Sequence, residues 1–512
     1  MFGRRDFTVL FHVLIILSTC TGICIEDIVT AYSAVLGLDT EAFEGRLSTA
    51  SFPELGGDSM MAINASHRIL ATIRGKDIDL PDEQIITSLD LLQFPIQVVF
   101  DILKCGRDNL PPVRKKARTA CKDDEDAFEN LPDATIYDDR DIGSALLSKV
   151  WKVPLLMCVD SSPVFIEHST GSIIIASSQG GDLACIEPTT GTALFRTKLP
   201  GKIEGDLSFI LNAQLEPILF VPTDGASQNQ EHRGCIHALK VSKTNTLVPI
   251  WQYSTNGEIK NKPTIFTYPK DNSHRVLIAS YSGSISYLDA MTGKLLDKQD
   301  DLGGAIHATP IIITGDDGLR AIVASSTWMG RVTCLALHAD SMEITWVVDL
   351  WTPIYATPLH SNDSILICGV DGSVRSLLSN DGNELWKIET ENRPIFTKPL
   401  HISPSRMVFG AHDGKLRCVN KADGKLRCVN KADGATLWTY DCESPIVSNP
   451  IYAKHRVMCA TYSGYMFVLN ASSGVVMGSI RLPGEIFSNP LLIQEQDIYI
   501  GCRDNHLYKL RV

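Results

Sequence analysis

The distribution of apolar and polar positions changes once along the chain, and the change separates two kinds of predicted structure. Residues 25–105 place apolar side chains at helical spacing, with Ile25, Ile28 and Val29 on one face. From residue 149 onward, short β-branched runs alternate with turns rich in Gly, Asp, Asn and Ser, a pattern typical of strands. The sequence therefore predicts a small helical domain followed by an all-β region.

Two further segments complete the predicted organisation. Residues 1–24 carry Arg4 and Arg5 before an apolar stretch, which fits either a secretory signal or a truncated start. Residues 106–148 lose the helical periodicity, and a basic cluster there is followed by an acidic one. We interpret 106–148 as a charged linker, although the basic cluster by itself also fits nuclear targeting.

An internal repeat runs through residues 149–512. An Ile or Val stands four positions before a Pro in seven places, and an imperfect eighth copy has Leu in place of the Pro. The eight pairs are Val159/Pro163, Ile203/Leu207, Ile259/Pro263, Ile306/Pro310, Ile354/Pro358, Ile395/Pro399, Ile446/Pro450 and Ile486/Pro490. Their spacing of 40 to 56 residues is that of four-stranded propeller blades, so an eight-bladed β-propeller is predicted.

The ring is expected to close with a strand taken from the start of the repeat region. Only 22 residues follow Pro490, which is about half a blade. Residues 150–153 read VWKV and look like LWKI at 385–388, so we expect them to supply the missing outer strand. Tryptophans that follow a Gly turn, such as Trp386 and Trp438, are expected to fill the space between adjacent blades.

One direct duplication interrupts the period. The ten residues DGKLRCVNKA occur at 413–422 and again at 423–432. Without one copy, the spacing of this unit would match that of its neighbours. We therefore expect one copy to form the strand and the other to bulge outward, since both satisfy the strand pattern equally.

Composition and charge exclude several classes of protein. The chain has 47 Lys and Arg against 59 Asp and Glu, a formal net charge of -12, which argues against electrostatic binding of nucleic acid. No apolar run reaches the length of a membrane-spanning helix. The 14 cysteines are too sparse for a disulfide-stapled protein, and those in apolar strands, at positions 368, 418, 459 and 502, are expected to be buried side chains rather than ligands.

The strongest local motif lies in the helical segment, where Leu55, Gly56, Gly57, Asp58 and Ser59 precede an apolar helix pattern. Two glycines make an open turn and leave the serine hydroxyl accessible. A phosphate esterified to Ser59 would lie beside free backbone N–H groups and the positive end of the helix dipole. The alternative is an ordinary turn and helix cap without chemistry.

This motif, in a helical segment of this size, resembles the acyl and peptidyl carrier domains. The resemblance implies a four-helix bundle at 25–105 and a 4'-phosphopantetheine arm on Ser59, attached by a phosphopantetheinyl transferase. Asp58 would assist the transferase, and Leu55, Gly56 and Gly57 would complete its recognition motif. The arm would hold an acyl or aminoacyl group as a thioester for transfer to an acceptor that the sequence does not name.

The repeat region resembles quinoprotein-like propellers. A carrier segment followed by such a propeller is similar to the C-terminal half of the beta-alanine-activating enzyme family, also called acyl-CoA synthetase family member 4. That family activates an amino or carboxylic acid with ATP in an adenylate-forming domain. No phosphate loop of that kind occurs here, so the resemblance implies an adenylate-forming partner in trans and leaves open whether this chain is itself an enzyme.

Other functions remain as alternatives. Oxidation dependent on pyrroloquinoline quinone (PQQ) is disfavoured, because there is neither a vicinal Cys pair nor a Cys-x-x-Cys-His haem site and because a fold alone confers no activity. A non-catalytic propeller scaffold is the main alternative to the carrier hypothesis. We expect a cytoplasmic protein, where coenzyme A is available; the alternative is secretion directed by residues 1–20, with the Asn-x-Ser sequons at 362 and 470 as glycosylation sites.

Overall fold

The computed structural model of the protein describes most of the repeat region. The described residues are 131–132, 134–136, 146–168, 171–225, 233–315, 318–390, 393–420 and 436–512. All of them belong to the second of the two units into which the chain divides, 121–512. The segments predicted at 1–24 and 25–105 lie outside the described residues.

The described residues form 33 β-strands and no helix. The predicted fold class, a four-helix bundle joined to a propeller, was therefore wrong in its all-α part, and the fold that the structure shows is an all-β propeller of eight blades. The physical reason lies in the local sequence. Described segments are short, rich in β-branched residues and bounded by turns, so their backbone N–H and C=O groups pair between strands.

Eight antiparallel sheets make up the propeller, and each is one blade. Two strands, β1 (Thr135–Ile136) and β2 (Ser148–Pro154), precede the repeat. Blades 1 to 3 are β3 (Val164–His168), β4 (Gly171–Ser177), β5 (Asp182–Ile186) and β6 (Ala193–Lys198); β7 (Ser208–Leu211), β8 (Pro217–Asp224), β9 (Gly234–Val241) and β10 (Leu247–Thr255); β11 (Thr264–Tyr268), β12 (Ser273–Ala279), β13 (Ile285–Asp289) and β14 (Leu295–Gln299).

The next three blades follow in chain order. Blades 4 to 6 are β15 (Ile311–Gly315), β16 (Gly318–Ala324), β17 (Arg331–Leu337) and β18 (Met342–Asp349); β19 (Leu359–Ser361), β20 (Ser364–Cys368), β21 (Ser373–Leu378) and β22 (Glu384–Glu389); β23 (Leu400–Ser403), β24 (Arg406–Gly410), β25 (Lys415–Asn420) and β26 (Thr436–Asp441). First strands of adjacent blades contact each other, as β11 does with β7 and β15, so they surround the axis of the ring.

The last two blades close the ring. They are β27 (Ile451–Ala453), β28 (Arg456–Ala460), β29 (Tyr465–Asn470) and β30 (Val476–Arg481), then β31 (Leu491–Ile493), β32 (Asp497–Cys502) and β33 (His506–Arg511). The outer strand of blade 8 is β2, which pairs antiparallel with β33 and sets Trp151 opposite Lys509. The predicted closure by residues 150–153 is confirmed, and β1 adds a short fifth strand.

The repeated Ile or Val anchors lie in the core between blades. All eight have at most 1% of their surface exposed. Each hydrophobic cluster joins two neighbouring blades: Ile203, for example, packs with Ile175 of blade 1 and Leu219 of blade 2. The repeated anchors therefore mark the buried contacts between successive blades. Burial of each anchor side chain contributes a few kcal/mol to stability.

A tryptophan on the outer strand locks several blades onto the next. The third and fourth strands of every blade are offset by a β-bulge, and in some blades a tryptophan lies beside it. The Trp438 indole N–H donates to the Ala471 carbonyl at 3.0 Å, and its ring covers Gly474, whose φ is +70°. Trp151, Trp251 and Trp346 make the same contacts with the next blade. The expectation that tryptophans fill the space between blades is confirmed.

The first copy of the duplicated segment supplies a strand. Residues 415–420 form β25 and pair with β24 and β26. The second copy, 423–432, lies outside the described residues. Cys368, Cys418, Cys459 and Cys502 are buried and free, as expected of small core side chains. In the part of the chain that the structure describes, no helix is long and apolar enough to cross a membrane.

Candidate functional site

The motif predicted from the sequence cannot be located in the structure. Leu55, Gly56, Gly57, Asp58 and Ser59 all lie outside the described residues. The candidate site described here is therefore one that sequence reasoning missed, at one end of the propeller axis.

Two sets of segments meet at this end, which we call the axial mouth. One set leads from the outer strand of a blade to the first strand of the next, and the other joins the second and third strands within a blade. Backbone hydrogen bonds tie the two sets together, as from Tyr281 N–H to the Glu258 carbonyl at 2.9 Å and from Arg503 N–H to the Glu485 carbonyl at 2.9 Å. Equivalent side chains of several blades are thereby brought close to the axis.

Five rings form a continuous row across blades 3 to 6, which we call the aromatic belt. Its members in order are Tyr281, His307, Tyr355, Phe396 and His412. Ring centroids of successive members lie 6.2, 5.2, 5.7 and 5.6 Å apart. Contacts at these distances are mostly edge-to-face or tilted, the geometry that aromatic pairs prefer.

The aromatic belt is partly enclosed by protein, and this enclosure shifts the pKa values of its members. Burial, together with the charge of Lys260, lowers the pKa of His307 to about 4, so the imidazole is neutral at pH 7. Burial raises the pKa of Tyr281 and that of Tyr355. The middle of the belt is therefore uncharged at neutral pH, although its side chains remain partly exposed.

A basic residue held between two acids flanks one end of the belt. Lys260 lies 2.9 Å from Glu204 and 3.1 Å from Glu258, and its ammonium is 5.4 Å from the centroid of the Tyr281 ring. Burial and these two glutamates raise the pKa of the nearby Asp224 to about 7. This carboxyl group is thus partly protonated at neutral pH.

A second charged cluster lies where blade 8 meets blade 1. Arg503 binds Asp160 at 2.9 Å and Glu485 at 3.1 Å. Its guanidinium carbon lies 3.8 Å from the centroid of the Phe487 ring, a cation–π contact. Gln179 Nε2 donates to Asp160 Oδ2 at 2.6 Å, the oxygen that Arg503 Nη2 also binds, so Asp160 accepts from two side chains.

Eight residues around the axis form what we call the axial ring. Each lies two residues before the first strand of a blade, directly before the repeated Pro or Leu207. They are half-buried except for Lys262, which is exposed. In chain order they are Ser162, Asp206, Lys262, Thr309, Thr357, Lys398, Asn449 and Asn489.

Hydrogen bonds connect the axial ring in two arcs, each from a backbone N–H to the side-chain oxygen of the next member. The longer arc starts at Lys398, whose N–H donates to Asn449 Oδ1 at 2.7 Å, and continues through Asn489 and Ser162 to Asp206. The amide of Asn489 also donates to Asp206 Oδ2 at 3.2 Å.

The shorter arc starts at Lys262, whose N–H donates to Thr309 Oγ1 at 3.2 Å; the Thr309 N–H then donates to Thr357 Oγ1 at 3.4 Å. Both arcs stop where the next member is Lys262 or Lys398, because an ammonium has no acceptor. Burial and the charge of Lys262 lower the pKa of Lys398.

The sequence contained a signal for this ring. All eight members occupy one repeat position, directly before Pro or Leu207, and the alignment of anchors identifies them. The signal was missed because these positions hold five residue types, and only the closed ring brings them together. Among the described residues, no group of three His, Cys, Asp or Glu side chains could hold a metal ion.

Comparison with known proteins identifies the family. The family described as "Beta-alanine-activating enzyme, beta-propeller" matches residues 155–512, which is well over half of the chain. The chain belongs to this family.

Curated relatives carry the same name. The beta-alanine-activating enzyme of Drosophila melanogaster is 25% identical over 378 residues, covering 71% of this chain and 34% of that protein. The enzyme of Homo sapiens is 28% identical over 116 residues, covering 21% of this chain and 9% of that protein. The match thus spans about a third of the fly relative, and the family resemblance stated from the sequence is confirmed for the propeller.

Solved structures of low sequence identity share the fold. BamB from Moraxella catarrhalis has a TM-score of 0.54 at 16% identity, covering 72% of this chain and 98% of that chain. Saccharomyces cerevisiae Sqt1 has a TM-score of 0.53 at 10% identity, covering 70% of this chain and 96% of that chain. These similarities extend to the fold alone.

Proposed function

We propose that the propeller of this beta-alanine-activating enzyme family member is a non-catalytic recognition module, and that its axial mouth binds the acyl group carried by a pantetheine arm. The aromatic belt is the observation that carries this proposal. Five rings in contact, neutral at pH 7 along their middle, offer apolar faces to a slender ligand.

The ends of the belt are suited to the polar parts of such a ligand. A pantetheine thioester has an apolar thioester region between amide groups, and a beta-alanyl group would add an ammonium. Glu204 and Glu258 at one end are acceptors for an ammonium, although they already bind Lys260. Backbone carbonyls at the mouth can accept from the amides.

Binding of a pantetheine thioester tests this proposal directly. The beta-alanyl thioester of pantetheine would be titrated into the full chain by calorimetry, with free beta-alanine and free pantetheine as comparisons. We expect Phe396→Leu, which keeps an apolar side chain but removes the ring, to weaken thioester binding about tenfold. Trp351→Ala is the matched control, because Trp351 is an exposed aromatic residue outside the belt.

Two results would overturn the recognition proposal. One is a thioester that binds no more tightly than free pantetheine. The other is equal affinity in wild type, Phe396→Leu and Trp351→Ala, which would put any binding site outside the belt. Turnover of the thioester by the chain alone would contradict the non-catalytic role.

A second proposal concerns the carrier function. We propose that Ser59 bears 4'-phosphopantetheine, with Asp58 assisting the transferase and with Leu55, Gly56 and Gly57 as the rest of its motif. The sequence LGGDS supports it, together with the family of the adjoining propeller. An adenylate-forming protein in trans would load the arm, and an acceptor still to be identified would receive the acyl group. Since modification requires coenzyme A, we propose a cytoplasmic location.

Intact mass tests the carrier proposal. The chain is incubated with coenzyme A and a broad-specificity phosphopantetheinyl transferase, and a gain of one phosphopantetheine is expected. Ser59→Ala should gain nothing, whereas the control Ser66→Ala should be modified like wild type. An unmodified wild type, or equal modification of Ser59→Ala, would leave the motif as a helix cap and the chain as a propeller scaffold.

A further inference from the structure

We propose that the axial ring binds a doubly charged oxyanion between Lys262 and Lys398. Nothing in the proposed recognition of a thioester requires this site, because the ring and the aromatic belt are made of different residues. Phosphate monoesters and dicarboxylates share the chemistry that the ring would recognise: several acceptor oxygens and two negative charges.

The positions of the two lysines are the first argument. They precede blades 3 and 6, three places apart in a ring of eight, and therefore lie across the axis from one another. The charge of Lys262 contributes to the lowered pKa of Lys398, which agrees with this placement. An anion on the axis between them would contact both and remove their mutual repulsion.

The charge balance is the second argument. Among the described residues, no carboxylate lies within ion-pair distance of either ammonium, whereas the other charged groups of the ring and its neighbouring clusters have partners. Lys398 is half-buried and Lys262 is exposed, and an anion between them would supply the counter-charge that both lack. The partnered groups are Lys260 with Glu204 and Glu258, Arg503 with Asp160 and Glu485, and Asp206 with Ser162 N–H and the Asn489 amide.

Asp224, near Glu204 and Glu258, does not fill this role. Burial and the two glutamates raise the pKa of its carboxyl to about 7, so it carries only part of a negative charge at neutral pH. Neither of its oxygens is within ion-pair distance of Lys262 or Lys398 in the described structure.

Two hydroxyl groups add donors on the short arc between the lysines. Thr309 Oγ1 and Thr357 Oγ1 each accept a backbone N–H. No acceptor among the described residues takes their own hydroxyl protons, which remain available to a ligand. Two ammonium groups and two hydroxyls around one axis are the donor set of an oxyanion site.

Calorimetric titration of the full chain at low ionic strength tests the proposal, since salt screens such sites. Inorganic phosphate and malonate are the two probes, which distinguish a phosphate ligand from a dicarboxylate ligand, and chloride is the comparison. At least one probe should bind at least tenfold more tightly than chloride. Lys262→Gln and Lys398→Gln should each weaken binding about tenfold, and the double variant should abolish it.

Matched controls separate a site from general charge effects. Lys454→Gln removes an exposed lysine that binds Glu495 and should bind like wild type. Lys398→Arg keeps the positive charge and should restore most of the affinity that Lys398→Gln loses. Phe396→Leu should bind phosphate or malonate normally, so failure of the thioester proposal would not be confused with failure of this one.

A footprint on the wild-type protein covers the case in which a variant does not fold. Lysine acylation followed by peptide mass spectrometry should show that the bound probe protects Lys262 and Lys398, but not Lys454. The proposal is overturned if neither probe binds more tightly than chloride, if the double variant binds like wild type, or if protection is uniform across lysines.

Discussion

The outer edge and the axis of the propeller are built on the same repeat, but they use it differently. At the outer edge, four junctions between blades repeat one pair of residues, a tryptophan on a glycine of the next blade. Around the axis, eight equivalent positions carry Ser, Asp, Lys, Thr, Thr, Lys, Asn and Asn. A residue type that recurs at one position of the repeat indicates that packing requires it there. Polar residues that vary at an equivalent backbone position are not fixed by packing, so they can be adapted to bind a ligand.

The energetics of the two regions differ in the same sense. Three of the four outer tryptophans are buried and Trp251 is half-buried; each combines apolar contact with one hydrogen bond, so its removal leaves a cavity. Axial residues are half-buried, and their hydrogen bonds exchange with water, so that each contributes about 1 kcal/mol or less. Variants at the outer edge should therefore change stability, and variants at the axis should change binding and pH response.

The largest effect is expected at the junction that closes the ring. Trp151 is 0% exposed, its indole N–H donates to the Pro188 carbonyl at 3.2 Å, and its ring lies 5.7 Å from that of Tyr499. Trp151→Ala should lower the free energy of unfolding by about 4 kcal/mol, because it removes the largest buried side chain of the closing strand. Urea unfolding followed by circular dichroism measures this.

Trp351 provides the control for that loss. Trp351 lies in a loop, 59% of its surface is exposed, and it stacks on Trp328 at 5.0 Å. Trp351→Ala should change the free energy of unfolding by less than about 1 kcal/mol. Equal losses in Trp151→Ala and Trp351→Ala would contradict the view that the outer edge holds the ring together.

A smaller effect is expected at the glycine that faces such a tryptophan. A Cβ at Gly474 would lie 2.6 Å from Trp438 Cδ2, and φ there is +70°, so Gly474→Ala combines strain with a clash and should cost about 3 kcal/mol. Gly171 also has a positive φ, +137°, but nothing lies within 4 Å of its Cβ position. Gly171→Ala should therefore cost only about 1 kcal/mol, and urea midpoints compare the two.

The same contrast explains what the sequence could predict. Apolar periodicity predicts the anchors such as Ile306, the closing strand around Trp151 and the number of blades. It does so because every blade must bury apolar side chains against the next blade at the same repeat positions. The expected all-α part of the fold class did not agree with the structure, in which every secondary-structure element of the described residues is a strand. Helical spacing at 25–105 concerns residues outside the described part, so it could not determine the architecture shown.

The candidate site was less predictable for a physical reason. Members of the axial ring such as Asp206 and Asn489 are far apart in sequence, and only closure of the ring brings their side chains within 3.2 Å of each other. Rings of the belt, such as His307 and Tyr355, similarly come from separate blades. The repeat identifies these positions but not the chemistry that their combination creates. Ser59, the site residue predicted from the sequence, stays a prediction.

At the axial mouth, Asp224 should make stability depend on pH in the neutral range. Burial, Glu204 and Glu258 raise the pKa of its carboxyl to about 7 in the folded chain, so the neutral form is favoured by folding. The stabilisation is present below pH 4 and is lost as pH rises to 7. Asp224→Asn stays neutral and should therefore be more stable than wild type at pH 8 by about 2 kcal/mol. This is about half of the free energy that the pKa shift corresponds to, because the group is partly exposed.

Comparison at two pH values isolates this carboxyl group. Near pH 4 the wild-type Asp224 is neutral, and the two proteins should then have similar urea midpoints. Asp340→Asn is the control, since Asp340 is 77% exposed and its replacement should leave the difference between pH 4 and pH 8 unchanged. A wild type that gains stability relative to Asp224→Asn on going to pH 8 would contradict the assignment.

The smallest effect is expected from the centre of the aromatic belt, at acid pH. Burial and Lys260 lower the pKa of His307 to about 4 in the folded chain, below the value near 6.5 expected when the chain unfolds. The folded state thus prefers the neutral imidazole. The stability associated with it is complete above pH 6.5 and is lost as pH falls towards 4, because the unfolded chain takes up the proton first.

His307→Gln removes the titrating group and keeps a polar side chain. Between pH 6.5 and pH 4.5, wild type should therefore lose about 1 kcal/mol more stability than this variant, after allowance for partial exposure of the ring. His360→Gln, at an exposed position of β19, should follow the wild-type profile. If His307→Gln followed it as well, the belt would be open to water, and its rings would then offer a thioester no enclosed apolar surface.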